Sequence, residues 1–295
     1  MNREFDTYHP VINFAFFVVV IMFTLMFMHP VFLVIGLVAA IAYSIYLMGV
    51  KAVKFNLFFS LPMMFGIAVL NPFFVHEGMT ILFYMNDKPI TLESFVYGCA
   101  TAVMLVTIMV WFSCYNKVMT SEKFIYLFGK VIPAISLILS MALGFIPRFK
   151  DKLNEIRNSQ RNIGRDINCG SIIQKAKQGL TIISILMTWA LENGVNTADS
   201  MRARGYGLSG RKSFSMYKFD KRDRLALIYL LFCTVICLIG YFTGRNTMQF
   251  YPFIEIKSFG IYETFISIAY LGLVFLPLTI EVREGLRWHL LRSKI

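Results

Sequence analysis

The chain has 295 residues, of which 57% are hydrophobic and only 16% charged, and its formal net charge is +12. Soluble domains run at about a quarter charged, so a mean hydropathy of +0.63 excludes a soluble globular protein and indicates an integral membrane protein. The surplus of Lys and Arg then becomes a marker of sidedness, because basic residues in short loops beside spans lie on the cytoplasmic face.

In chain order, Pro10 to Met28 and Val31 to Val50 contain no charged residue. They are close to the roughly 20 residues a helix needs to cross a bilayer, and a tight His29-Pro30 turn joins them. A signal peptide is the rival for the first run, but the run is long, its leading residues are weakly basic and no small-x-small site precedes the turn; the segment is expected to be retained. Val53 to Leu70 and Phe95 to Tyr115 give a third and fourth span. The loop between them (His76, Glu77, Asp87, Lys88, Glu93) is charge-balanced and reads as external. Leu225 to Tyr241 and Ile261 to Ile280 close the series. Lys51, Lys54, Lys117 and Lys123 lie on the opposite set of connections, which places both termini inside.

Two apolar runs fall outside this count. Ala134 to Ile146, between Pro133 and Pro147, is too short to cross, and a crossing there would put the following basic region outside. Leu180 to Leu191 carries positive charge on both flanks. Both read as helices in the interface, re-entering from the cytoplasmic side, or packed on other helices. The expected fold is therefore all-α, with about six transmembrane helices and a cytoplasm-facing insert. Its parts are an N-terminal membrane part (1–116), the insert (117–224), and a closing pair of spans with a basic tail (225–295).

Within the insert, Pro147 to Asp166 places Phe149, Leu153, Ile156, Gln160 and Ile163 at alternating steps of four and three, one stripe of a helix. Arg157, Arg161 and Arg165 form a basic line beside it. That line suits either anionic head groups, worth on the order of 1 kcal/mol per residue, or a docking face for another protein. Further on, Glu192-Asn193-Gly194 is expected to interrupt a helix, with Asn196 or Thr197 capping a new short one. Gly205 is placed to end that helix in a left-handed conformation. Arg202 and Arg204, two apart, point in different directions.

Several chemistries are missing. The four histidines are scattered without metal-ligand spacing, and the five cysteines contain no C-x-x-C and read as packing thiols. There is no phosphate-binding G-x-x-x-x-G-K-[ST] loop and no G-x-S-x-G elbow, so no catalytic residue and no cofactor is assigned. The spans hold almost no ionisable group, which disfavours a self-contained pump or carrier. The positive charge follows from membrane sidedness and does not require nucleic acid. A membrane-embedded enzyme or a permease of another class is the alternative reading, with Glu192 as a polar group at the membrane surface.

The stretch "LFGKVIPAISLILSMALGFIPRFKDKLNEIRNSQRNIGRD", followed by "ALENGVNTADSMRARGYGLSGR", resembles the transmembrane T component of energy-coupling factor (ECF) importers, the EcfT or CbiQ-like family. The shared features are a Pro-bounded apolar helix ending in F-I-P, a charged helix after it, and a terminal A-R-G-[YF]-G. The resemblance implies a non-catalytic subunit that binds two ABC-type ATPases and a separate substrate-capturing S component. Two cytoplasmic coupling helices ending in Ala-Arg-Gly-like motifs would dock on the ATPases. Carried over, the second motif is Ala203-Arg204-Gly205, preceded by Arg202. The first falls at Asn162-Ile163-Gly164, where Ile163 stands in place of the arginine and Arg161 or Arg165 is left to reach the same acidic partner. Phe149, Leu153, Ile156 and Ile163 would pack the coupling helices together or against the S component.

Overall fold

The structure is a computed structural model that describes residues 5–85, 88–129, 132–165, 171–206, 208, 217–244, 248–254 and 260–292. Of the residues named above, Asp87 and Asp166 lie outside that description, as does Arg211 at the end of the quoted stretch. The described residues are almost entirely helical, as the sequence implies for a multi-pass membrane protein. Their contacts divide the chain into two compact units, Met1–Phe124 with Tyr217–Ile295, and Ile125–Met216.

The first unit begins with one 3-10 turn (Phe5–Thr7), then α1 (Pro10–Met26) and α2 (Pro30–Phe74). Both helices start with a His-Pro pair. The Nδ1 atoms of His9 and His29 accept the backbone N–H of Val11 and Val31, at 3.4 and 3.3 Å, and the proline at the first helical position has no N–H to leave unpaired. Gly49, at φ 77° and ψ 169°, breaks α2 internally. This is a backbone conformation that glycine adopts without a Cβ penalty, and it falls next to Lys51, at the boundary expected between the second and third spans.

The loop expected to be external is more ordered than a polar connection. β1 (Ile81–Met85) and β2 (Lys88–Thr91) form an antiparallel hairpin, which the β-branched and aromatic run Ile-Leu-Phe-Tyr favours. Glu93, buried in the first turn of α3 (Leu92–Val118), accepts the Thr80 hydroxyl at 2.7 Å and its N–H at 3.1 Å. Thr91 caps α3 by accepting the Ser94 N–H at 3.3 Å.

α7 (Lys221–Phe242), α8 (Ile261–Val274) and α9 (Leu276–Arg292) complete this unit. The expected span from Ile261 to Ile280 is not straight: α8 and α9 meet at 58°. Pro277 accounts for the break, because it offers no N–H to the carbonyl of Leu273 and its ring crowds that carbonyl. Among the described residues, three helical segments are long and apolar enough to cross a membrane: Pro30–Val50, α3 and α7. The bent pair makes a fourth if it is one span, and α1 and Ser60–Phe74 are shorter apolar helices.

The core of this unit is aromatic. Trp111 is fully buried, with Phe16, Phe17 and Tyr43 at ring-centre distances of 5.8, 6.1 and 6.1 Å. Tyr270 receives Phe27 and Phe32, both at 5.5 Å. Where α2 meets α3 the backbones come close: a Cβ at Gly98 would lie 3.1 Å from the Ala68 carbonyl oxygen and 2.9 Å from Asn71 Cβ. Helices in lipid gain little from apolar burial and associate through close packing of this kind.

The second unit holds two long helices, α5 (Pro133–Asn162) and α6 (Ile172–Ala203), entered through the end of α4 (Ser121–Gly129). Two expectations are corrected here. Ala134 to Ile146 is not separate from the helix after Pro147, because α5 runs through that proline. A proline inside a helix sacrifices one hydrogen bond, but Phe145 and Phe149 flank it on one face, their ring centres 6.0 Å apart. Nor does Glu192-Asn193-Gly194 interrupt α6. Thr197 starts no new helix; its hydroxyl donates back to the Asn193 carbonyl at 2.7 Å, the pattern of Thr within a helix. A single interior glycine costs only about 1 kcal/mol, which a 32-residue helix absorbs.

Candidate functional site: two helix ends

α5 and α6 pack on each other through few side chains. Ile156 and Ile182 are buried, and the Phe149 and Trp189 rings meet in a T-shaped pair with their centres 5.6 Å apart. Trp189 did not stand out in the sequence, although a lone large aromatic within an otherwise aliphatic run is a signal for such a partner. The remainder of the expected stripe is open: Leu153 is 39% and Ile163 is 63% exposed. Lys152 and Glu155 pair at 2.9 Å on the outer face, and Ser171 with Gln174 forms a capping box at the start of α6.

The two helices terminate in the same way. At the end of α6, Gly205 (φ 75°) donates its N–H to the Arg202 carbonyl at 2.9 Å, and Tyr206 donates to the Met201 carbonyl at 2.9 Å. At the end of α5, Gly164 (φ 81°) donates to the Arg161 carbonyl at 3.0 Å, and Arg165 donates to the Gln160 carbonyl at 2.9 Å. Each is a complete Schellman motif, in which a left-handed residue lets two amides turn back onto two orphan carbonyls.

Equivalent positions can therefore be read off the hydrogen bonds. Arg161 matches Arg202 in the last turn, where a cation is favoured by the helix dipole. Asn162 matches Ala203, Ile163 matches Arg204 at the C-cap, Gly164 matches Gly205, and Arg165 matches Tyr206. Apart from half-buried Gly205, all of these residues are exposed. Each end thus presents two guanidinium groups on a rigid turn, at different stations: one end has Arg161 and Arg165 around an apolar C-cap, the other has Arg202 and Arg204 beside a tyrosine. A planar guanidinium held in this way suits bidentate recognition of carboxylates.

A family model described as "Cobalt transport protein" (CbiQ) matches residues 9–215, more than two thirds of the chain. The chain belongs to the CbiQ family. Curated relatives carry the name "Energy-coupling factor transporter transmembrane protein EcfT". The one from Lactobacillus helveticus is 32% identical over 114 residues, 38% of this chain and 41% of the relative. The one from Streptococcus thermophilus is 35% identical over 103 residues, 34% of this chain and 39% of the relative. The one from Streptococcus equi is 25% identical over 210 residues, 65% of this chain and 77% of the relative. The chain thus spans about two fifths of the length of the first two. The T-component family anticipated from the Pro-bounded helix and the A-R-G-Y-G stretch is the family found, and the chain is a membrane component of the transporter class.

Proposed function

We propose that this protein is the transmembrane subunit of an ECF-type importer. It docks two ABC-type ATPase subunits on the cytoplasmic ends of α5 and α6, holds a separate S component against the open apolar faces of those helices, and couples ATP hydrolysis to uptake of a vitamin or other micronutrient. It is non-catalytic and needs no cofactor or nucleic acid; it resides in the cell membrane among lipid, with both termini cytoplasmic. The observation that carries this reading is the pair of matched Schellman ends, which hold Arg161 and Arg165 on one helix and Arg202 and Arg204 on the other. Arg204 makes the charge-assisted contact at its end. If that contact is buried in the complex, losing one partner costs about 3–5 kcal/mol, enough to abolish assembly.

The test is co-purification from the host's membrane and ATPase fraction. Two ATPase subunits and a small membrane protein should accompany the wild-type chain, and Arg204→Glu should lose the ATPases while the chain itself still inserts. Undiminished assembly with both Arg204 and Arg161 reversed to Glu would sink the docking role. Catalytic turnover by the chain on its own would point to a membrane-embedded enzyme.

A further inference from the structure

The first described residues, Phe5–His9, are tied at nearly every position to segments distant in sequence. The Phe5 N–H donates to Glu281 Oε1 at 3.1 Å, and the Tyr46 hydroxyl donates to Glu281 Oε2 at 3.3 Å. The Asp6 carboxylate pairs with Lys123, whose ammonium also donates to the carbonyls of Asp6 (2.7 Å) and Val118 (3.0 Å). The Arg222 guanidinium lies 5.7 Å over the Tyr8 ring. The His9 N–H donates to Asp223 Oδ1 at 3.2 Å, and its ring meets Phe219 at 5.3 Å and Tyr217 at 6.4 Å.

Lys123, Asp223 and Glu281 are all buried. Burying an ionised group costs several kcal/mol unless its partners are well placed, and apolar side chains at these sites would hold a helix bundle at least as well. What charged contacts add is direction: each fixes one segment at one register. The segments they fix are also particular. Phe124 is the last residue of the first unit before the chain enters the second unit (Ile125–Met216), the inner part of the expected insert and meant by that word below, and Tyr217 is the first after it. Lys123 therefore stands at one root of the insert, and Tyr217, Phe219, Arg222 and Asp223 stand at the other.

We propose that Phe5–His9 is a strap that binds both roots of the insert, together with α9, into one rigid base, and that Asp6, Lys123, Asp223 and Glu281 are positioning residues for energy coupling. Without the strap, a displacement delivered through α5 and α6 would be dissipated as separate movement of the two roots. With it, the roots move together and the membrane unit follows. The inference rests on the coupling role proposed above, but the strap itself can be tested without any partner.

In the full chain in lipid nanodiscs, hydrogen–deuterium exchange is followed at 117–124 and at 217–224 for wild type, Asp6→Asn and Asp223→Asn. Each substitution should speed exchange several-fold at both roots, including the one that kept its own partner. The conservative variant Asp6→Glu, which keeps a carboxylate for the Lys123 ammonium and leaves its bonds to the Asp6 and Val118 carbonyl positions in place, should retain slow exchange, which distinguishes a strap from a misfolded variant. In the reconstituted complex, the same single variants should keep their ATPases and their ATP hydrolysis but lose most uptake per ATP. Faster exchange confined to the substituted root overturns the strap while leaving the docking role intact. Coupled exchange together with full uptake overturns its role in transmission. Coupled exchange in a wild-type chain that recruits no ATPase supports the strap and sinks the function proposed above.

Discussion

Ile163 and Arg204 occupy the same position, the C-cap of a helix closed by a Schellman turn, on α5 and α6 respectively. The two ends share a backbone and differ in chemistry at the residue that faces outward. Replacing Arg204 with Ile makes the two caps alike and leaves the partner's charge unpaired, at the same cost of about 3–5 kcal/mol if the contact is buried. ATPase affinity should fall about a hundredfold or more, read as the amount of ATPase retained per chain. Ile163→Arg should be tolerated. Equal retention by Arg204→Ile and wild type contradicts the assignment of Arg204.

The turns themselves are open to a backbone test. A left-handed residue with a side chain costs about 1–2 kcal/mol, so Gly164→Ala and Gly205→Ala should each fray the last turn. At Gly205 the new Cβ would also lie 3.0 Å from Leu208 Cδ1, making that variant the worse of the two. Amide exchange at residues 165 and 206 reports the fraying, while the global unfolding temperature stays close to wild type.

The sequence revealed most of the helices and little of their continuity. Charge-free runs marked α1, the first part of α2, α3 and α7, because lipid demands long apolar stretches. Gly205 announced its own conformation. Local propensity marks Pro147 and Gly194 as breaks, and α5 and α6 run through both because one lost hydrogen bond at the proline and about 1 kcal/mol at the glycine are small beside the helix on either side. The match between Gly164 and Gly205 was only implied by family likeness; the hydrogen bonds that establish it depend on backbone geometry, which residue names do not carry. The strap was invisible, since Asp6, Lys123, Asp223 and Glu281 are scattered over most of the chain.

His29 gives a pH prediction. Burial lowers its pKa below the ordinary value of 6.5, and its Nδ1 must stay unprotonated to accept the Val31 N–H. Stability should be flat at high pH, where the residue is neutral both folded and unfolded. It should fall as pH drops below about 6.5, where the unfolded chain binds the proton first, and level off below the lowered native value. His29→Asn keeps a capping acceptor and should remove this part of the decline, measured by thermal unfolding between about pH 7.5 and about pH 5.

Trp111 and its neighbour Phe112 separate packing from lipid contact. Trp111→Ala empties a fully buried site ringed by Phe16, Phe17 and Tyr43 and should cost about 3–5 kcal/mol. Phe112 is 48% exposed, and its truncation should stay within about 1 kcal/mol. Denaturation in mixed micelles measures both; similar losses for the two would mean that the aromatic core is not where the bundle is held.

α1, at 17 residues, is about 25 Å long, against about 30 Å of hydrocarbon in an ordinary bilayer. If it crosses as a single span, the lipid beside it compresses to meet its ends at a fraction of a kcal/mol per ångström. Longer acyl chains would then place that side of the bundle under continuous elastic load.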